Sequence, residues 1–226
     1  LNEAELHLST ICKRFARVVP AHEPYPTSFE KKRDPYRALV RAVVFQQLSG
    51  KAAETIHGRF IALYPGKDHP EPEDVLATAP EALRGVGLSR QKMAAIQDIS
   101  QKRIEGIIPP AKALTRLSDD EIIERLTAAR GVGRWTVEMY LMFTLGRPDV
   151  LPIDDLGVRK GAEKLYRRSF TPKELGAYGE RWAPFRSAAA WHLWRIADTL
   201  TPEKAVKKAT VKKVAKKPKA AKRTKS

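Results

Sequence analysis

The sequence predicts an all-α protein of about ten short helices, and three observations carry that prediction. Apolar residues recur every three to four positions along much of the chain, the spacing that gathers side chains on one helix face. Several segments open with the residue pairs that cap helix starts. No convincing alternation of polar and apolar residues marks a strand. With 226 residues and 42% hydrophobic content, the chain is long enough to bury one good-sized core.

Taken in order, Ala52, Ala53, Ile56, Phe60 and Leu63 form one helical stripe, and Met93, Ile96, Ile99 and Ile104 form another. Thr78 with Glu81, Ser118 with Glu121, and Thr171 with Glu174 have capping-box spacing, the last with Pro172 at the first helical position. The stretch from Val137 to Leu145 is apolar on most faces, which makes it a central helix. Arg84-Gly85-Val86-Gly87 and Arg130-Gly131-Val132-Gly133 nearly repeat, and each leads into helical sequence. Two glycines flanking one apolar residue let the main chain turn tightly with positive φ. The N–H groups that follow, unpaired at a helix N-terminus, suit a phosphate oxygen and carry no base information. From the residues alone either turn is a candidate clamp, and a glycine after a helix is also a common C-cap. Further on, Leu151-Pro152-Ile153-Asp154-Asp155 reads as a loop entering a helix through Leu156, Val158 and Lys160, whose positive end keeps a carboxylate ionised. Either acid of that pair is able to cap the helix.

The formal net charge of +16 favours an anionic partner. Glu203 to Ser226 holds eleven Lys/Arg against one acid, a net of +10, which leaves +6 on the rest. That segment alternates lysine pairs with Ala, Val and Pro, so a helical domain over 1–202 and a disordered basic tail over 203–226 are expected. Such a tail serves as a salt-dependent DNA tether or as a solubilising appendage. The single cysteine, Cys12, excludes an internal disulfide and a four-thiolate iron–sulfur cluster. His7, His22, His57, His69 and His192 show no ligand spacing with acids or thiols, so no catalytic metal is expected. No apolar run approaches transmembrane length, and no leader is evident, so the expected setting is cytoplasmic or otherwise intracellular with DNA, without a membrane.

The tract around Gly131-Val132-Gly133 and Pro152-Ile153-Asp154-Asp155 resembles the helix-hairpin-helix DNA glycosylase superfamily, and most closely the alkylpurine glycosylases of the 3-methyladenine DNA glycosylase II type. The resemblance extends upstream over Asp34-Pro35-Tyr36 to Gln46-Gln47-Leu48-Ser49-Gly50, and downstream from Tyr178-Gly179-Glu180 to Trp194-Arg195, covering roughly residues 30 to 198. It implies two helical subdomains with the active-site cleft between them. It also implies that Gly131, Val132, Gly133, Arg134 and Thr136 form the DNA backbone hairpin, and that the Gly85 turn is structural, with Ser89, Arg90 and Lys92 after it as candidates for touching the backbone nearby. Asp155 matches the family's catalytic acid, leaving Asp154 as the cap. Bifunctional relatives carry a nucleophilic lysine two residues after the second hairpin glycine; Trp135 stands there, which implies base removal without strand nicking. The DNA wedge falls on Gln47, with Leu48 next, although the same segment also reads as a polar helix end with Leu48 in the core. Trp135 and Trp194 match pocket-lining positions, and Tyr140 is a weaker addition, while Trp182 and Trp191 are left to packing.

The implied chemistry is flipping of an alkylated purine out of double-stranded DNA, then hydrolysis of its N-glycosidic bond. Oxocarbenium character develops at C1′, and a fixed carboxylate stabilises that charge most in the transition state. An N3- or N7-alkylated purine is cationic and leaves without a strong general acid, and an aromatic face attracts it by roughly 0.5–2 kcal/mol. 3-Methyladenine and then 7-methylguanine are the expected substrates. No cofactor is expected, and the resemblance admits a monovalent cation on the hairpin carbonyls. The expected form is a monomer of the compact branch, because the residues before Asp34 leave no room for an N-terminal β-rich domain. Leu156-Gly157 stands where that enlarged enzyme has an aromatic side chain, which implies a smaller pocket wall. The alternatives are a non-enzymatic helix-hairpin-helix DNA-binding protein in which Asp155 only caps a helix, and a bifunctional glycosylase using another lysine.

Overall fold

The computed structural model describes residues 1–27 and 34–198. The expected basic tail over 203–226 lies outside the described residues. Among these residues the chain forms thirteen α-helices, two 3-10 turns and one π-helical turn, with no strand. In chain order they are α1 (Glu3–Ile11), α2 (Lys13–Val18), α3 (Pro35–Phe45), α4 (Gly50–Ala62), α5 (Pro72–Ala77), α6 (Pro80–Gly85), α7 (Arg90–Ile104), α8 (Ala111–Leu114), α9 (Asp119–Thr127), α10 (Arg134–Tyr140), α11 (Leu156–Tyr166), α12 (Pro172–Gly179) and α13 (Arg186–Asp198). The described residues form two compact units: a central one within Pro26–Val150, and a terminal one that joins Leu1–Tyr25 to residues 151–198.

In the central unit, α3 buries Tyr36, Leu39, Val40, Val43 and Val44, a stripe at three- and four-residue spacing laid mainly against α7. Asp34 caps α3 through the amide of Tyr36 and pairs with Arg103 of α7 at 2.9 Å. Of the second expected stripe, Ile96 and Ile99 are buried, but Ile104, five positions after Ile99, falls off the face and is exposed.

In the terminal unit, α11 packs on α13 so closely that the backbone of Leu193 fills the space a side chain on Gly161 would need. Trp182 is fully buried, edge-on to Phe15 and Tyr178 and stacked near Tyr166.

Two capping boxes stand where the sequence places them, Ser118 with Glu121 and Thr171 with Glu174. Thr78 is a correction. It is the C-cap of α5, its hydroxyl bonded to Asp74 O and to the Tyr64 hydroxyl, while Ala79 precedes Pro80 at the start of α6. The Val137 to Leu145 segment is buried as expected but is not one helix: α10 gives way to a π-helical turn at Leu141–Leu145, which Gly146 ends with φ +68°.

Candidate functional site

In the central unit, Gly131 adopts φ +76°, and its Cα lies against α7 so tightly that an added Cβ would sit 3.0 Å from Ala95 Cβ. Gly133 has an ordinary negative φ, so only one hairpin glycine uses left-handed backbone. Gly133 is the N-cap of α10 and, having no side chain, makes no side-chain cap there. Asp98 of α7 anchors the approach to this turn: its Oδ2 accepts the amide of Arg130 at 2.7 Å and its Oδ1 pairs with Lys102 at 2.9 Å. Partial burial works to raise the Asp98 pKa, but the Arg130 amide and Lys102 outweigh it, and the group is held below its usual value. The near-repeat at Gly85-Val86-Gly87 closes α6 and has its positive φ, +103°, at its second glycine, Gly87; Ser89 then caps α7.

The segment after α3 is held against the hairpin. Gln46 is extended and donates Nε2 to Gly131 O at 2.9 Å, whereas Gln47 is left-handed at φ +56°, a region that non-glycine residues enter at a cost of roughly 1–2 kcal/mol. Leu48 is 38% exposed, so it lies at the surface and not in the core. Lys92 was a candidate for contacting DNA backbone by sequence; instead its Nζ donates to Val44 O at 2.7 Å and Gln46 O at 2.9 Å. Gln47, Ser89, Lys92, Arg130 and Gly131 border a cavity of about 290 Å³ within this unit. Trp135, in the first turn of α10, is 48% exposed, whereas Tyr140 is buried, and burial pushes its pKa up.

In the terminal unit, Asp155 is the N-cap of α11, its Oδ1 accepting the amide of Val158 at 2.8 Å. Asp154 is exposed and does not cap the helix, so the expected division of labour within the pair is corrected: the cap and the candidate acid are one residue. The same Oδ1 accepts Nε1 of Trp194, from α13, at 2.8 Å. Gly157 permits that approach, since a Cβ there would lie 2.8 Å from the indole and 3.1 Å from Oδ1. Trp191 instead donates to Glu23 O and carries the Arg195 guanidinium 3.4 Å from its ring.

Sequence reasoning missed the inward role of Lys92, Asp98 altogether, and the contacts that Gln46 and Gly157 make or permit. Three-residue spacing of Lys92, Ala95 and Asp98 was the available signal for the first two. Among the described residues there is no group of three or more His, Cys, Asp or Glu able to hold a metal, and no helix long and apolar enough to cross a membrane.

A glycine turn leading into α10, among described residues that are helical and form no strand, is the arrangement of the helix-hairpin-helix class. Residues 40–185 match the model of the HhH-GPD superfamily base excision DNA repair protein, and the chain belongs to that superfamily. It is 41% identical to the DNA-3-methyladenine glycosylase 1 of Schizosaccharomyces pombe over 208 residues, covering 89% of this chain and 91% of that one. The structure of the Schizosaccharomyces pombe 3-methyladenine DNA glycosylase in complex with abasic DNA is similar with a TM-score of 0.76, over 86% of this chain and 96% of that one. A DNA-3-methyladenine glycosidase from Bacillus halodurans, 34% identical, also has a TM-score of 0.76, over 87% and 89% of the two chains.

Proposed function

We propose that this protein is a monofunctional DNA glycosylase of base excision repair that removes alkylated purines from double-stranded DNA, 3-methyladenine first and 7-methylguanine second, and leaves an abasic site. The observation that carries this reading is the Asp155 carboxylate, oriented by Val158 N and Trp194 Nε1 in a chain whose 41%-identical relative is named a 3-methyladenine glycosylase.

The hairpin residues Gly131, Val132, Gly133, Arg134 and Thr136 hold the DNA backbone through amides and charge. Gln47, followed by Leu48, fills the gap left by the flipped nucleotide, whose unstacking costs about a few kcal/mol. The C1′–N bond then breaks with its electron pair going to the purine, which leaves neutral because alkylation had made it cationic. Asp155 stabilises the oxocarbenium charge that develops on the sugar. A water oxygen bonds to C1′, and its proton passes to Asp155 or to solvent. Trp135 and Trp194 offer aromatic faces to the cationic base. Tyr140, being buried, supports α10 from within. With Trp135 at the position of the lyase lysine, no Schiff base forms and the strand is not nicked. The step is a hydrolysis by a monomer and calls for no cofactor.

Base release from methylated duplex DNA tests the reading, comparing the parent with Asp155→Asn, which retains an acceptor for the helix cap. Release of 3-methyladenine, strand breaks only after alkali, and a loss of at least about 100-fold in the variant are expected. No release by the parent, with equal DNA affinity in both, would leave a non-enzymatic helix-hairpin-helix DNA-binding protein. Breaks before alkali would point to a bifunctional enzyme.

A further inference from the structure

One face of α7 meets both loops that the proposed function sets on DNA. Lys92, Ala95 and Asp98 follow at three-residue spacing and so share a stripe of the helix. Lys92 Nζ bonds the carbonyls of Val44 and Gln46, Ala95 lies under Gly131, and Asp98 holds the amide of Arg130. Gln46, whose carbonyl Lys92 holds, reaches back to Gly131 O. The contacts therefore close a ring from α7 through the end of α3 to the hairpin and back to α7.

We infer that Lys92 is a positioning residue for base flipping: its ammonium fixes the carbonyl end of α3 so that Gln47 projects in register with the hairpin. The last carbonyls of a helix lack intrahelical donors and carry the negative end of its dipole, so a cation serves them well. Many helices end instead with a left-handed glycine that folds amides back onto those carbonyls. Here Gln46 is extended and Gln47 takes the left-handed position, so the chain leaves α3 outward and Lys92 supplies donors to Val44 and Gln46. A lysine serving a phosphate would keep its ammonium in solvent; this one turns inward, and desolvation lowers its pKa. Its charge sets loop geometry and adds little to DNA affinity.

This role rests on Gln47 being the wedge, so Gln47→Ala runs beside Lys92→Met and Lys92→Arg in the full chain. The probe is a duplex with a tetrahydrofuran abasic analogue flanked by 2-aminopurine, whose fluorescence rises when a wedge unstacks it, read alongside single-turnover excision of 3-methyladenine. Lys92→Met is expected to lose most of the fluorescence rise and about tenfold in excision, with affinity for undamaged duplex kept within about twofold and melting within about 2 °C, and Lys92→Arg to restore both signals. A Lys92→Met protein equal to the parent, while Gln47→Ala loses the rise, would overturn the role of Lys92 alone. Losses of undamaged-duplex binding and melting in proportion to excision would overturn it too, as general destabilisation. If Gln47→Ala leaves fluorescence and excision unchanged, the wedge reading fails, and the positioning role fails with it.

Discussion

Trp194 donates its indole N–H to Asp155 Oδ1 at 2.8 Å, the oxygen that also accepts the amide of Val158. One donor is local, three residues along the chain, and the other comes from a helix 39 residues away. Together they set the plane of the carboxylate. Trp194→Phe keeps an aromatic ring but removes the second donor. A hydrogen bond to a charged group contributes about 1.5–3 kcal/mol, so excision of 3-methyladenine in single turnover is expected to fall about tenfold or more, with duplex affinity little changed. Parental excision by Trp194→Phe would reduce the indole to packing.

Gly157→Ala tests the same contact from the other side. A methyl there would sit 2.8 Å from the indole Cδ1, so either Trp194 or Asp155 must shift. Misplacement near the reacting atoms is costly, and this variant is expected to lose about tenfold in excision by the same assay while its melting temperature drops only a few degrees. Full activity would show that the indole can retreat without consequence for Asp155.

Gly161→Ala separates stability from chemistry. Its Cβ would run into the backbone of Leu193, where no side-chain rotation gives relief, so α11 and α13 must part. Overpacking of a close helix contact costs about 1–3 kcal/mol and occasionally more, and urea unfolding is expected to register at least about 2 kcal/mol of destabilisation. An unchanged midpoint would mean that the two helices slide apart freely.

What the sequence made legible was what its neighbours along the chain decide. Ser118 and Thr171 cap their helices because the acid three residues on completes the box without outside help. Thr78 has the same pattern and fails, because Tyr64 and the Asp74 carbonyl hold its hydroxyl and Pro80 starts the next helix. Gly131 was legible as a turn, since a left-handed residue there favours glycine. The choice between Asp154 and Asp155 as cap was not, because the two are chemically identical and a tryptophan on a distant helix engages one of them. Lys92 reads in sequence as a lysine for the DNA backbone, and only the fold of α3 over it shows its ammonium on the carbonyls of Val44 and Gln46. The π-helical turn at Leu141–Leu145 left no trace in an apolar run without a breaker before Gly146.

Away from the proposed chemistry, His192 makes stability depend on pH. It is fully buried on α13, its Nε2 3.3 Å from Glu5 Oε1 and its ring stacked on His22 at 5.9 Å. Burial pushes its pKa below the ordinary histidine value; Glu5 opposes that shift, while His22 and Arg195 reinforce it. His22 is lowered as well, by burial and then by Arg195. A folded pKa below the unfolded one means that the unfolded chain binds more protons as pH falls through about 6.5, so the folded state loses stability in that direction and keeps it above. Melting temperature is therefore expected to hold level above about pH 7 and to decline between about pH 6.5 and 5. His192→Gln keeps a polar group beside Glu5 but does not titrate, so its decline over that window should be shallower, the remainder coming from His22. Thermal melts followed by circular dichroism across about pH 7.5 to 5 decide it: equal slopes in parent and variant would remove His192 from the acid sensitivity of the terminal unit.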